Sequence, residues 1–237
     1  MSRSESFRCF YGLLARLLLS VGWSGHADSG YGRTKPSPEI ESGLRITVRV
    51  HAYVHLKRGI LDRAESEVTR IYRDVGIETT WVDCPLTPAE LDQYPACLAA
   101  STSPHLDLNI VPHFMATRVS MPDTTLGFTS LSKDGQRAYE ASVFYDRVRE
   151  EAETTRGSLP RILGHAMAHE LGHLLLRTSG HAPGGLMRAR WTTDDFRLAS
   201  YGQLLFTSEQ AQLMRTEVKE REQQQAAEPP SLTALSH

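Results

Sequence analysis

Residues 162–176 read ILGHAMAHELGHLLL, an apolar run that still carries His165, His169, His173 and Glu170. Ser158 stands where a helix cap belongs and Pro160 in the first turn, so the run predicts a long helix. Ser179-Gly180 is the expected stop, because glycine takes the left-handed conformation that ends helices. Imidazoles set among leucine and alanine need partners for their ring nitrogens. A chain with this helix must fold so that something meets those nitrogens.

Spacing narrows what that something is. His169 and His173 are four residues apart, on one helical face a turn from each other. Two imidazoles so placed can bind one zinc ion, each at about 2.0–2.1 Å. Glu170 is offset by one residue and points beside the ion, where a general base acting on metal-bound water belongs. A catalytic zinc takes three protein ligands and keeps one position open. His165 continues the stripe, but it lies about 12 Å along the axis from His173 and reads as a structural histidine. His181 follows the Ser179-Gly180 stop, where a reversing chain can bring it back over the same face. A second scheme takes the third ligand from Asp194 or Asp195, which otherwise read as charges at a helix start. Tyr201 is a candidate donor to a reacting oxyanion, against a reading as a partly buried structural tyrosine.

The rest of the chain supplies a sheet. Alternating and β-branched segments predict strands at 44–56, 77–84, 106–114, 124–132 and 140–148. Residues 58–76 place Ile60, Leu61, Ala64, Val68 and Ile71 on one helical face, with Gly76 as the stop. A strand–helix–strand start favours a parallel pair with a right-handed crossover. Turn residues SKDGQ after the fourth strand allow an antiparallel edge. Thr192 or Thr193 would cap a short helix within 192–206, and Thr207 or Ser208 a helix over 207–225.

HELGH, a histidine beyond a glycine, and the downstream Gly184-Gly185-Leu186-Met187 resemble the metzincin clan of zinc metallopeptidases. The resemblance covers residues 44 to about 225. It implies an α/β (α+β) fold: a mixed, mostly parallel five-stranded twisted sheet with an N-terminal crossover helix, a long active-site helix and a C-terminal helix. It implies one catalytic Zn2+ on His169, His173 and His181, Glu170 as catalytic base, and Met187 in a methionine turn under the metal. It further implies hydrolysis of peptide bonds, with an extended peptide or protein substrate paired along the strand around Gly127 and Phe128. The chain departs from the clan pattern after His173. Leu176 stands where the clan has glycine, and His181 lies eight residues after His173 where the clan has six. The helix is expected to run about two residues longer before turning. Two other readings use the same residues: a zinc hydrolase acting on a small amide or ester, and a zinc-stabilised secreted binding protein without turnover. Glu170 argues against the latter, since a structural site prefers four protein ligands and needs no base.

Outside this domain, 43–226, the chain reads differently. Arg3 and Arg8 precede an apolar stretch that ends near Gly25-His26-Ala27, the pattern of a secretory signal over 1–27. Residues 28–42 read as a flexible lead-in, and 227–237 as a disordered tail. An export signal implies a secreted or periplasmic protein, where Cys84 and Cys97 can close a loop worth about 3 kcal/mol. The net charge of -2 gives no reason to expect nucleic acid as a partner, and the leader is too interrupted for stable membrane insertion. Oligomeric state is not legible.

Overall fold

The structure, a computed structural model, describes residues 43–98, 103–115, 121–122, 124–130 and 140–227. The expected signal, lead-in and most of the tail, with the SKDGQ turn, lie outside the described residues.

Five strands form one mixed sheet: β1 (Leu44–Ala52), β2 (Ile77–Cys84), β3 (His105–Val111), β4 (Gly127–Ser130) and β5 (Glu140–Phe144). Their order is β2-β1-β3-β5-β4, with all neighbours parallel except the antiparallel β4–β5 pair. Alternation decides which face is covered. Ile46, Val48 and Val50 of β1, Leu106, Leu108 and Ile110 of β3, and Ala141 and Val143 of β5 point to one side and are buried. Against that side pack α1 (Arg58–Asp74) and α5 (Leu159–Leu176), the helix that carries the histidines. The architecture is the mixed, mostly parallel five-stranded α/β arrangement expected, with its crossover helix, long helix and C-terminal helix.

The two central helices approach closely because Gly164 has no side chain. A Cβ there would lie 2.7 Å from the Ala64 carbonyl oxygen of α1. The buried Tyr72 hydroxyl then reaches the Ala168 carbonyl of α5 at 3.1 Å. At the other end of α5, Arg221 of α7 (Ser208–Ala227) donates to the Leu174 carbonyl at 2.7 Å and to Glu217. A cation there satisfies a terminal carbonyl and complements the helix dipole. α5 is thus held by α1, by the sheet and by α7, as its composition requires. Two short helices, α2 (Pro88–Leu91) and α3 (Pro95–Leu98), fill the loop closed by the Cys84–Cys97 disulfide, S–S 2.12 Å. No described helix is long and apolar enough to cross a membrane.

Several boundaries differ from expectation. β1 ends at Ala52 rather than 56, and β3 ends at Val111, before Pro112, which has no N–H to pair. The expected strand 140–148 stops at Phe144, and α4 (Tyr145–Thr154) follows at once. Tyr145, Val148 and Ala152 give α4 a buried helical face. Arg147 anchors it by donating to the Pro122 and Thr125 carbonyls, both at 2.7 Å. α5 ends at Leu176, not at Gly180: Arg177 itself takes the left-handed conformation, φ 49°. α6 (Thr193–Ser200) is capped by Thr192 in a reciprocal box with Asp195.

One packing detail yields a pH prediction. Glu65 of α1 is half-buried, and one carboxyl oxygen lacks a hydrogen-bond partner among the described residues. Burial, then Asp83 and Asp62, push its carboxyl up to about 7. The folded state therefore holds a proton that the unfolded chain has released. Stability falls as pH rises from the ordinary carboxylate range to about 7, then levels off. Glu65→Gln should raise Tm relative to the parent at pH 8 and leave it unchanged at pH 4, measured by thermal melts. An equal gain at both pH values would contradict this origin.

Candidate metal centre

His169 and His173 sit on the buried face of α5, and each uses its Nδ1 on a backbone carbonyl. His169 Nδ1 lies 2.7 Å from the Leu186 oxygen, and His173 Nδ1 lies 2.7 Å from the Thr178 oxygen. A carbonyl only accepts, so both Nδ1 atoms carry the proton. In a neutral ring the Nε2 atom then presents a lone pair. The two Nε2 atoms face each other at 3.1 Å, a contact without a hydrogen to share. Adding a proton is opposed by burial, which together with the neighbouring His173 lowers His169 to about 3; burial also lowers His173. Two lone pairs held this way are resolved by a cation. A tetrahedral zinc with bonds of about 2.0–2.1 Å separates its ligand nitrogens by about 3.3 Å, close to the spacing found.

His181 completes the group. Its ring centroid is 5.5 Å from that of His169 and 4.8 Å from that of His173. One ligand atom from each of the three histidines lies within 4.8 Å of the others, and among the described residues no other His, Cys, Asp or Glu group converges in this way. The turn that brings it there starts at Arg177. Thr178 follows directly, its carbonyl meeting His173 and its hydroxyl accepting from Gly180 N–H at 2.9 Å. The extra residues after His173 therefore form a small loop instead of lengthening the helix.

The chain then doubles under α5. Ala182 N–H donates to the Met187 carbonyl at 2.8 Å, and Leu186 N–H to the Leu205 carbonyl at 3.0 Å. Gly185 takes φ +72°, and a Cβ there would lie 3.0 Å from the Leu205 oxygen. Met187 is buried against Gly172, where a Cβ would come within 2.8 Å of its Sδ. Met187 thus lies beneath the histidine-bearing helix.

Glu170 is 5% exposed. Its Oε2 accepts from the Thr129 hydroxyl of β4 at 3.0 Å. Burial pushes its carboxyl up to about 8, opposed by that hydrogen bond. Gly127, also on β4, makes room for it: a Cβ there would lie 2.8 Å from Glu170 Oε1 and 2.5 Å from the Ser142 carbonyl oxygen. Glu170 and the three histidines line one cleft of about 450 Å³, bounded on one side by β4 and on the other by residues 188–191. β4 ends the sheet, so its outer edge is unpaired among the described residues.

Other residues singled out from sequence lie elsewhere. His165 is fully buried, with Nδ1 on the Arg161 carbonyl at 2.8 Å and Glu67 at 3.8 Å. Asp195 is engaged by Thr192 and by Arg188 at 2.8 Å, and Asp194 by Arg197 at 3.1 Å. Tyr201, expected to be partly buried, is 66% exposed beyond the end of α6 and does not line the cleft. Sequence reasoning missed Thr129, Trp191 and the Leu186 and Thr178 carbonyls. Trp191 donates to the same Leu186 carbonyl at 3.3 Å and stands edge-on to His169. A lone glycine inside a strand is a known sign of close backbone approach, and Gly127 carried it.

No protein-family model matches the chain, and no curated protein matches it. Among solved structures, it is similar to the crystal structure of archaemetzincin from Methanopyrus kandleri. The identity is 15% and the TM-score 0.44, over 77% of this chain and 99% of that chain.

Proposed function

We propose that this chain is an exported zinc-dependent endopeptidase in which His169, His173 and His181 hold one zinc ion and Glu170 is the catalytic base. The observation that carries the reading is the pair of inward lone pairs at 3.1 Å, locked by two carbonyls and beside a buried carboxylate. Zinc bound there supplies a Lewis acid for the scissile carbonyl and lowers the pKa of water towards about 7.

The chain's own groups do the rest. Glu170 accepts the proton of the attacking water and returns it to the leaving nitrogen. It would be protonated at neutral pH in the metal-free cleft, and a nearby dication draws it back to the carboxylate. Thr129 and Gly127 fix where that carboxylate stands. The Leu186 and Thr178 carbonyls hold the imidazoles in the correct tautomer, a role worth about 10–100-fold in metal affinity. The outer edge of β4, unpaired among the described residues, suits an extended peptide added as a further strand. That edge favours a peptide over a small amide or ester. The disulfide and the expected leader support export to an oxidising compartment.

The test is direct. Mature protein should hold one zinc per chain and cleave a denatured protein, lose cleavage to a chelator, and regain it with zinc. A protein that binds zinc stoichiometrically yet cleaves no peptide would sink the peptidase reading. A more local test is Gly127→Ala, whose new methyl group collides with Glu170 and with the β5 backbone. It should lower kcat/KM by about 100-fold while zinc content is unchanged, since misplacing a catalytic group by about 1 Å costs that much. Unaltered kcat/KM would mean that the Glu170–β4 contact is irrelevant to turnover.

A further inference from the structure

One carboxylate in the cleft has no role in that chemistry. Glu151 of α4 lines the cleft together with Leu126, Ala166, Trp191 and Phe196. Ala166 lies one turn before Glu170 on α5, and the cleft that Glu151 lines is the one that holds the histidines. Those four residues are apolar, while Thr124, Thr125, Arg188 and Arg190 also line the cleft. The carboxylate is half-buried, and among the described residues it has neither an ion-pair nor a hydrogen-bond partner.

Three of the four nearby cations are committed elsewhere. Arg147, one turn back on α4, is spent on the Pro122 and Thr125 carbonyls and lies over the Phe144 ring. Arg149 pairs with Asp146 and Glu153. Arg188, across the cleft, is held by Asp195 at 2.8 Å. Arg190 also lines the cleft, but it is exposed and forms no ion pair with Glu151. Partial burial deprives that carboxylate of some of its hydration in the free protein. A ligand that brings its own cation relieves it, with an aliphatic stem matched to the apolar walls and a charged end matched to Glu151.

We propose that Glu151 is a specificity-determining residue and that the cleft takes a basic side chain, lysine or arginine, of an extended peptide. The direction of its carboxyl agrees: burial first, then Glu150, push it up, which a bound cation would reverse. This assignment rests on the peptidase reading for its substrate class, but binding alone can test it.

Zinc-loaded protein is given a peptide library, and the cleavage sites are read by mass spectrometry. Lysine and arginine should be enriched at one position flanking the scissile bond. Defined peptides with lysine or norleucine at that position should then differ by about 10–100-fold in kcat/KM, the range of one charge-assisted contact. Glu151→Gln should collapse that ratio towards unity, and Glu151→Lys should turn the preference to glutamate. Apolar enrichment, or a lysine-to-norleucine ratio unmoved by Glu151→Gln, overturns the proposal. If no peptide is cleaved, the peptidase reading fails separately, and the same two peptides are titrated against tryptophan fluorescence with Trp191→Phe as the blank. Tighter binding of the lysine peptide to the parent, lost in Glu151→Gln, upholds the proposal. Equal binding overturns it.

Discussion

Replacing Glu170 by glutamine is expected to lower hydrolysis of a denatured protein by about 10²–10⁴-fold while zinc remains bound, the range attributed to a positioned general base. Glutamine has the same shape, so the contacts with Gly127 and β4 survive, and its amide oxygen can still accept from Thr129. What it lacks is a group able to take a proton from water. The metal should stay because the three imidazoles are untouched. The same variant makes a second, opposite prediction about stability. In the metal-free protein, burial holds the Glu170 carboxyl up at about 8, so folding keeps a proton that the unfolded chain loses. Stability contributed by that proton is lost as pH rises from the ordinary carboxylate range to about 8. Metal-free Glu170→Gln should therefore melt at or above the parent at pH 8.5, with little difference at pH 4. Activity falling while stability rises is the signature of a side chain held for chemistry at a cost to the fold. Zinc content by elemental analysis, kcat/KM and thermal melts decide it. A fully active Glu170→Gln variant would end the proposed mechanism.

What could be read from the sequence was what is local. β2 was expected at 77–84 and is found at Ile77–Cys84, because apolar alternation and the flanking Gly76 mark it from within. The His169–His173 pair was legible for the same reason, since a spacing of four residues places two side chains on one helical face in any fold. α4 was not legible. EASVFYDRV continues a strand-like run across Phe144, and the helix that starts at Tyr145 is held by tertiary contacts: its buried Tyr145, Val148 and Ala152, and Arg147 reaching the Pro122 and Thr125 carbonyls. The groups that organise the candidate metal centre were hidden by the same logic. The Leu186 and Thr178 carbonyls orient the imidazoles, and backbone atoms have no signature in a sequence. Thr129 and Glu151 are ordinary residues until β4 and α4 are placed beside α5. α5 ends before the expected Gly180 because, although glycine is the usual left-handed residue, here Arg177 takes that conformation at a cost of about 1–2 kcal/mol.

Replacing His181 by alanine is expected to weaken zinc binding by more than about 100-fold, beyond the about 10–100-fold lost with an outer partner of a ligand. His181 differs from the other two histidines in being exposed and outside the helix. Alanine there leaves α5, the Arg177 turn and the Thr178 contact intact, so the metal-free fold should melt within a few degrees of the metal-free parent. The remaining pair, His169 and His173, is preorganised but offers only two nitrogens. The competing scheme places Asp194 or Asp195 on the metal, and it carries a definite structural charge. Asp195 would have to leave the Thr192 capping box and the 2.8 Å contact with Arg188, and Asp194 its ion pair with Arg197. Asp195→Ala should therefore cost about 0.5–2 kcal/mol of stability, as loss of a helix cap does, with zinc affinity unchanged. Asp194→Ala, at an exposed surface pair, should change neither by a measurable amount. Competition titrations with a chelator of known affinity separate the schemes. If His181→Ala binds zinc as the parent does and Asp195→Ala does not, the third ligand is the aspartate. The loop from Arg177 to His181 is then only a connector.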